Sequence, residues 1–263
     1  MSRRRDPDVA IRCTDLSIAR ASARSSESLR VVDGVSFDLP HATSLALMGP
    51  TGAGKSSLAA VLAGIDEMGL AVVGGDAYVD GIPVRRPGRD RRTLTWVTGY
   101  LAQRAGADLP ARMTVSDVIA EPIVSRDRRV NAHALEVRVA TLLDEFMLPL
   151  GASAKYPYEL SAGMRQRVAL ARTLIHSPRV LIVDEPFANL DVEARRAACD
   201  AILRRRDADG MSTVVVTNDA QIASDLSAAV LVMRGGHPIA YGPRMDDLLW
   251  TPSADPDQRL VSS

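Results

Sequence analysis

Hydrophobic and polar positions change their period several times along the chain. From 11 to 39 they alternate in strand fashion, with a polar interruption at 22 to 28 that reads as a hairpin loop. Ser44-Leu45-Ala46-Leu47-Met48 is a short apolar run of strand length. A glycine-rich stretch and a helical segment to about Ala63 follow it. A second β-rich portion, 74 to 84, leads into Arg85-Arg86-Pro87-Gly88-Arg89-Asp90-Arg91-Arg92, expected to be an exposed loop. From 114 to 150 the period becomes helical: Leu135, Val139, Leu142, Leu143 and Phe146 recur on one face. The chain then alternates helix 165–175, strand 180–183, helix 192–206, strand 213–217 and strand 229–233. Apolar strands interleaved with helices predict a parallel sheet covered on both faces, with the 114–150 block inserted as a helical subdomain. No internal repeat is visible, so one such unit is expected.

Composition narrows the classes without choosing among them. The 263 residues suffice for one large domain, or a core domain carrying a smaller one. With 46% hydrophobic residues the chain can bury a core unaided by disulfides or metals. Lys+Arg and Asp+Glu balance at 32 each, so no global field draws it to nucleic acid or anionic lipid. Ser2-Arg3-Arg4-Arg5 is then a solvated tail. Cys13 and Cys199 are far apart and show no metal spacing, which fits a reducing cytosol. No segment approaches the ~18 apolar residues of a membrane helix, and no apolar leader is seen. Service to a membrane is expected from its cytoplasmic side.

Two short stretches carry chemistry. Gly49, Pro50, Thr51, Gly52, Ala53, Gly54, Lys55, Ser56 and Ser57 fit the phosphate-binding formula GxxxxGK[ST], with a strand before and a helix after. Glycines let backbone N–H groups turn inward around phosphates, and the helix N-terminus adds a positive end. Lys55 would reach the β- and γ-phosphates, and the Ser56 hydroxyl would ligate Mg²⁺. Val180-Leu181-Ile182-Val183-Asp184-Glu185 is an apolar strand ending in two acids, where ligands sit in parallel sheets. Asp184 would hold Mg²⁺ and Glu185 would polarise an attacking water. Alone, such a pair is most often a loop start or a helix cap.

Ser161 is a good helix N-cap on its own terms. Yet Tyr158-Glu159-Leu160-Ser161-Ala162-Gly163-Met164-Arg165-Gln166-Arg167 resembles the signature sequence of ATP-binding cassette (ABC) ATPases, in the form seen in peptide/nickel importers. Tyr100-Leu101-Ala102-Gln103 is similar to the family's glutamine loop, and Ala188-Asn189-Leu190-Asp191 to its aspartate loop. Residues 112–123 resemble the stretch that follows the glutamine in dipeptide and oligopeptide importers.

The resemblance implies an α/β P-loop NTPase cassette with a RecA-like parallel-sheet core, an N-terminal antiparallel β-subdomain and an inserted α-helical subdomain. The cassette would run over 9–246, with the insert at about 104–165 and tails at 1–8 and 251–263. It implies ATP and Mg²⁺, with Gln103 touching the metal or the water. Ser161 and Gly163 would meet the γ-phosphate held by a second cassette, and Ala162 replaces a glycine there. Partners implied are transmembrane permease subunits, a second ABC ATPase subunit and an extracytoplasmic solute-binding protein, with no nucleic acid. An importer of peptides or related small solutes is expected. An exporter-type ATPase, or a non-transport ABC protein acting on nucleic acid or ribosomes, is the alternative.

The sequence departs from the family in three places. Asn218 stands where the family has a histidine after a strand. An amide donates a hydrogen bond but cannot become cationic, so slow hydrolysis at this chain's own site and a heterodimer are expected; compensation by water or a neighbour is the alternative. The aromatic residue that packs on adenine is missing, with Ser25, Ser26 and Ser28 in that region. The end of the chain carries no cysteines, so no iron–sulfur cluster is expected. His41, His133, His176 and His237 are scattered and read as loop or surface residues.

Overall fold

The computed structural model describes residues 8–21, 28–66, 69–85, 88–127 and 129–250. The basic tail, most of the expected 22–28 loop, including Ser25 and Ser26, and the chain after 250 lie outside them.

Two long strands, β1 (Val9–Ala21) and β2 (Ser28–Pro40), pair antiparallel, as the alternation from 11 to 39 predicts. With β4 (Leu70–Val79) and β5 (Ile82–Pro83) they form an antiparallel sheet of order β2-β1-β4-β5. The larger sheet is built on β3 (Ser44–Met48), every residue of which is buried. Parallel to it run β6 (Thr98–Leu101), β7 (Val180–Asp184), β8 (Ser212–Val216) and β9 (Ala229–Arg234). Antiparallel β10 (His237–Gly242) and β11 (Leu249–Trp250) extend one edge, giving the order β11-β10-β9-β3-β8-β7-β6. The core is thus the expected parallel sheet, with an antiparallel margin that the apolar pattern did not announce.

Strand alternation divides the core between the sheet's two faces. Ala46, Met48, Leu181, Val183 and Val215 join one cluster. Leu45, Leu47, Val180, Ile182, Val214 and Val216 join the other. The first is covered by α3 (Val115–Val124), α4 (Ala132–Glu145), α5 (Ala162–Leu174), α6 (Val192–Asp209) and α7 (Ala220–Asp225). The second is covered by α1 (Lys55–Leu62), by Leu94 of α2 (Arg89–Val97) and by β1 and β2. The stripe Leu135, Val139, Leu142, Leu143 and Phe146 is buried as its period required.

Several elements end where local chemistry dictates. Thr114 opens α3 with a reciprocal capping box to Asp117. Ser161 caps α5 by accepting from the Met164 N–H at 3.2 Å, so that helix begins three residues earlier than its apolar pattern suggested. Gly210, at φ 70°, stops α6 in the left-handed conformation.

Part of the arginine-rich segment is not loop. Residues 89–97 form α2, held by a single fully buried side chain, Leu94, that packs on Gly64. Arginine is a good helix former and its charge stays in water, so one apolar anchor suffices. His176 follows α5 in a turn, as expected of a loop residue, but it is half-buried and Nε2 donates to the Thr98 carbonyl at 3.1 Å. Burial pushes its pKa below the ordinary histidine value.

Candidate active site

Register sets the site. Met48 ends β3, Asp184 ends β7 and Val216 ends β8; Leu47 and Asp184 both pair with Val216. The carboxyl edge of the parallel sheet therefore brings the loop at 49–54, the acidic pair and Asn218 to one place.

The loop needs its glycines for space as well as conformation. Gly49 has φ 132°, and a Cβ there would lie 2.0 Å from the Met233 carbonyl oxygen. Gly54, the N-cap of α1, has φ 92°, and its Cβ would lie 2.2 Å from the Val31 carbonyl oxygen. Lys55 folds back over this loop: its ammonium donates to the carbonyls of Gly49 at 2.5 Å and Pro50 at 3.0 Å. Burial lowers its pKa, while Glu185 and Asp184 hold it up.

Thr51, Gly52, Ala53, Gly54, Lys55, Ser56 and Ser57 line a cleft of about 290 Å³, together with Gln103, Asp184, Glu185 and Asn218. Asp184 is almost fully buried. Burial raises its pKa, and a hydrogen bond with the Ser56 side chain and the charge of Lys55 draw it back. Glu185 is raised by burial first, then by repulsion from Asp184, with Lys55 opposing and Asp219 adding to the rise. Its backbone lies at φ 48°, an uncommon conformation for a non-glycine residue. Two carboxylates and one ammonium, with Asp184 and Lys55 buried and Glu185 half-buried at the cleft, form a site prepared for a ligand that carries both anionic oxygens and a cation.

Asn218 meets the phosphate-loop stretch directly: its Oδ1 accepts from the Gly49 N–H at 2.9 Å. Ser161 and Gly163 are not among the residues lining this cleft. They open α5, where Gly163 sits so close to the 186–190 turn that a Cβ would lie 2.7 Å from the Asn189 carbonyl oxygen. The buried Gln166 amide donates to the Pro186 carbonyl at 2.9 Å, and Gly106 packs against the same side chain. Gln166 thereby joins the turn after Glu185 to the loop after Gln103, a role that its place in a motif did not reveal. Arg20 and Val31 also line the cleft and escaped the sequence reading, since no motif contains them.

Residues 32–188, more than half of the chain, match the family model described as ABC transporter. The chain belongs to the ABC transporter family. The sulfate/thiosulfate import ATP-binding protein CysA 2 of Agrobacterium fabrum is 34% identical to this ABC chain over 221 residues, covering 83% of the chain and 61% of that relative. The oligopeptide transport ATP-binding protein OppD of Mycobacterium tuberculosis is 32% identical over 242 residues, 91% of the chain and 38% of that relative. The chain therefore spans less than two thirds of the length of both relatives. Among solved structures, the dimeric bacterial ABC transporter cassette MJ0796 superposes with TM-score 0.78 at 22% identity, covering 87% of this chain and 96% of that one. The cassette cbiO1 of Clostridium perfringens gives 0.73 at 23%, covering 90% and 89%. These likenesses establish the ABC cassette fold, with a parallel core and an antiparallel N-terminal sheet.

Proposed function

We propose that this ABC chain binds ATP with Mg²⁺ and hydrolyses it to power a membrane transporter. One observation carries the reading: Lys55, Ser56, Gln103, Asp184 and Glu185 converge on a single cleft floored by the phosphate loop. The Ser56 hydroxyl, the Asp184 carboxylate and the Gln103 amide are hard oxygen donors, which suits Mg²⁺, a cation held by one or two protein groups plus phosphate oxygens. When bound, the metal neutralises charge on the phosphates. The chain's own groups do the rest. The loop N–H groups and Lys55 grip the polyphosphate, and Gln103 and Asn218 present amides to it. Glu185, its affinity for protons raised, accepts a proton from the attacking water.

The cassette is read as residues 9–246, with 104–165 as the helical insert. Its partners are permease subunits and a second cassette, to which Ser161 and Gly163 would offer the start of α5. An extracytoplasmic solute-binding protein completes an importer, with this chain on the cytoplasmic face of the membrane. Among the described residues no helix is long and apolar enough to cross a membrane, so on this reading the transport path belongs to other chains. Import is favoured by the names of the two relatives; peptides or related small solutes are favoured by the signature resemblance. Asn218 favours a heterodimer in which this chain's own site turns over slowly.

Equilibrium binding of ATP to the full chain and to Lys55→Ala tests the central step. Loss of charged hydrogen bonds should weaken ATP by about 10- to 100-fold. Equal affinity of the two proteins would refute the reading.

A further inference from the structure

The residue after Asn218 is an acid, Asp219, and it closes the turn after β8 through three bonds. Its N–H donates to the Thr217 hydroxyl at 3.1 Å, and its Oδ1 accepts from the Gln221 N–H at 2.9 Å. These two make it the N-cap of α7 and fix the backbone that follows Asn218. The third bond comes from another helix: Oδ2 accepts from Arg195 Nη1 at 2.9 Å. Arg195 stands one turn into α6, where its own N–H donates to the carbonyl of Asp191, the residue that caps that helix. Both partners of the ion pair are half-buried.

A capping oxygen needs no charge, since asparagine or serine caps a helix as well. The charge of Asp219 nevertheless reaches the cleft, where it adds to the repulsion on Glu185. That is the end at which a triphosphate would bring its terminal phosphate. An uncompensated carboxylate there repels a polyanion. Among the described residues the Arg195 guanidinium makes no hydrogen bond other than the one to Asp219, and its buried Nε has no partner. Resting on the reading that ATP is the ligand, we propose that Arg195 acts on the phosphate end of the cleft through Asp219, cancelling a negative charge beside the terminal phosphate. Arg195 is then a positioning residue, and it is what allows an acid to close the turn that carries Asn218.

The test measures ATP affinity of the full chain in wild type, Arg195→Ala, Arg195→Lys, Asp219→Asn and the double variant Arg195→Ala/Asp219→Asn. Arg195→Ala uncovers the carboxylate and should weaken ATP by about 3- to 10-fold at low salt. Relative to wild type, that loss should shrink as salt rises. Arg195→Lys keeps a cation and should retain most of the affinity. Asp219→Asn keeps the cap without its charge and should bind ATP at least as tightly as wild type. The double variant should return to wild-type affinity, which also shows that the loss of Arg195 leaves the fold intact. A pair that only tethers α6 to the turn gives a different pattern: the loss in Arg195→Ala persists in the double variant and does not respond to salt. That pattern, or an Arg195→Ala variant with wild-type affinity, would overturn the proposal. Wild-type protein that does not bind ATP would instead remove the nucleotide reading, and the role of Arg195 with it.

Discussion

The Asn218 side chain accepts a hydrogen bond from the Gly49 backbone N–H at 2.9 Å, across 169 residues of sequence. A backbone N–H can only donate, so Oδ1 must face Gly49 and Nδ2 is left as the free end of the amide. Asn218 therefore ties the residues after β8 to the first residue of the phosphate loop. It presents a donor whose charge does not change with pH.

Two substitutions separate these roles. Asn218→Ala removes one accepted hydrogen bond, worth about 1 kcal/mol, and should weaken ATP by about fivefold in an equilibrium titration. Asn218→His supplies a ring that can become cationic, and should raise steady-state hydrolysis in the assembled transporter. Unchanged hydrolysis in the histidine variant would show that the amide is no handicap.

The three loop glycines should not be equivalent. Gly49→Ala and Gly54→Ala drive a Cβ into backbone carbonyls, whereas a Cβ at Gly52 has open space and only a positive φ of 81° against it. Gly52→Ala should cost about 1 kcal/mol, and the protein should fold. The other two should lower the thermal midpoint much further or prevent folding, as read by calorimetry.

Glu145 predicts a pH effect away from the site. It joins α4 to α6 through Arg205 (2.7 Å to each oxygen) and Arg204 (2.9 Å). Burial acts to raise its pKa, but the hydrogen bonds from Arg205 and Arg204 outweigh it, leaving the carboxyl below the ordinary glutamate value. The folded protein thus binds this proton less tightly than the unfolded chain does. The contribution is fully present above the unfolded value of about 4.3 and is lost as pH falls through the lowered one. Glu145→Gln should cost about 2 kcal/mol at neutral pH, and its difference from wild type in denaturant melts should shrink under acid.

Much of this site is written in local sequence. The 49–57 loop and the 184–185 pair are contiguous stretches, and the strands that carry them are apolar enough to be recognised. Position 218 was legible as well, but its partner was not, because strand register and not spacing brings Asn218 to Gly49. The same holds for Arg20: alternation in β1 does not tell which helix its side chain will meet. Helix α2 was hidden by its arginines, since one buried leucine makes no periodic pattern. The edge strands β10 and β11 are short, and Pro238 interrupts the first.

The most direct test of the account is Mg²⁺-dependent ATP hydrolysis by the transporter assembled with its membrane partners and any second cassette, compared with the same assembly carrying Glu185→Gln. The account predicts that the variant still binds ATP at this chain's site while losing the component of turnover that Asn218→His increases. Turnover identical in wild type and variant, with the histidine substitution also without effect, would contradict it.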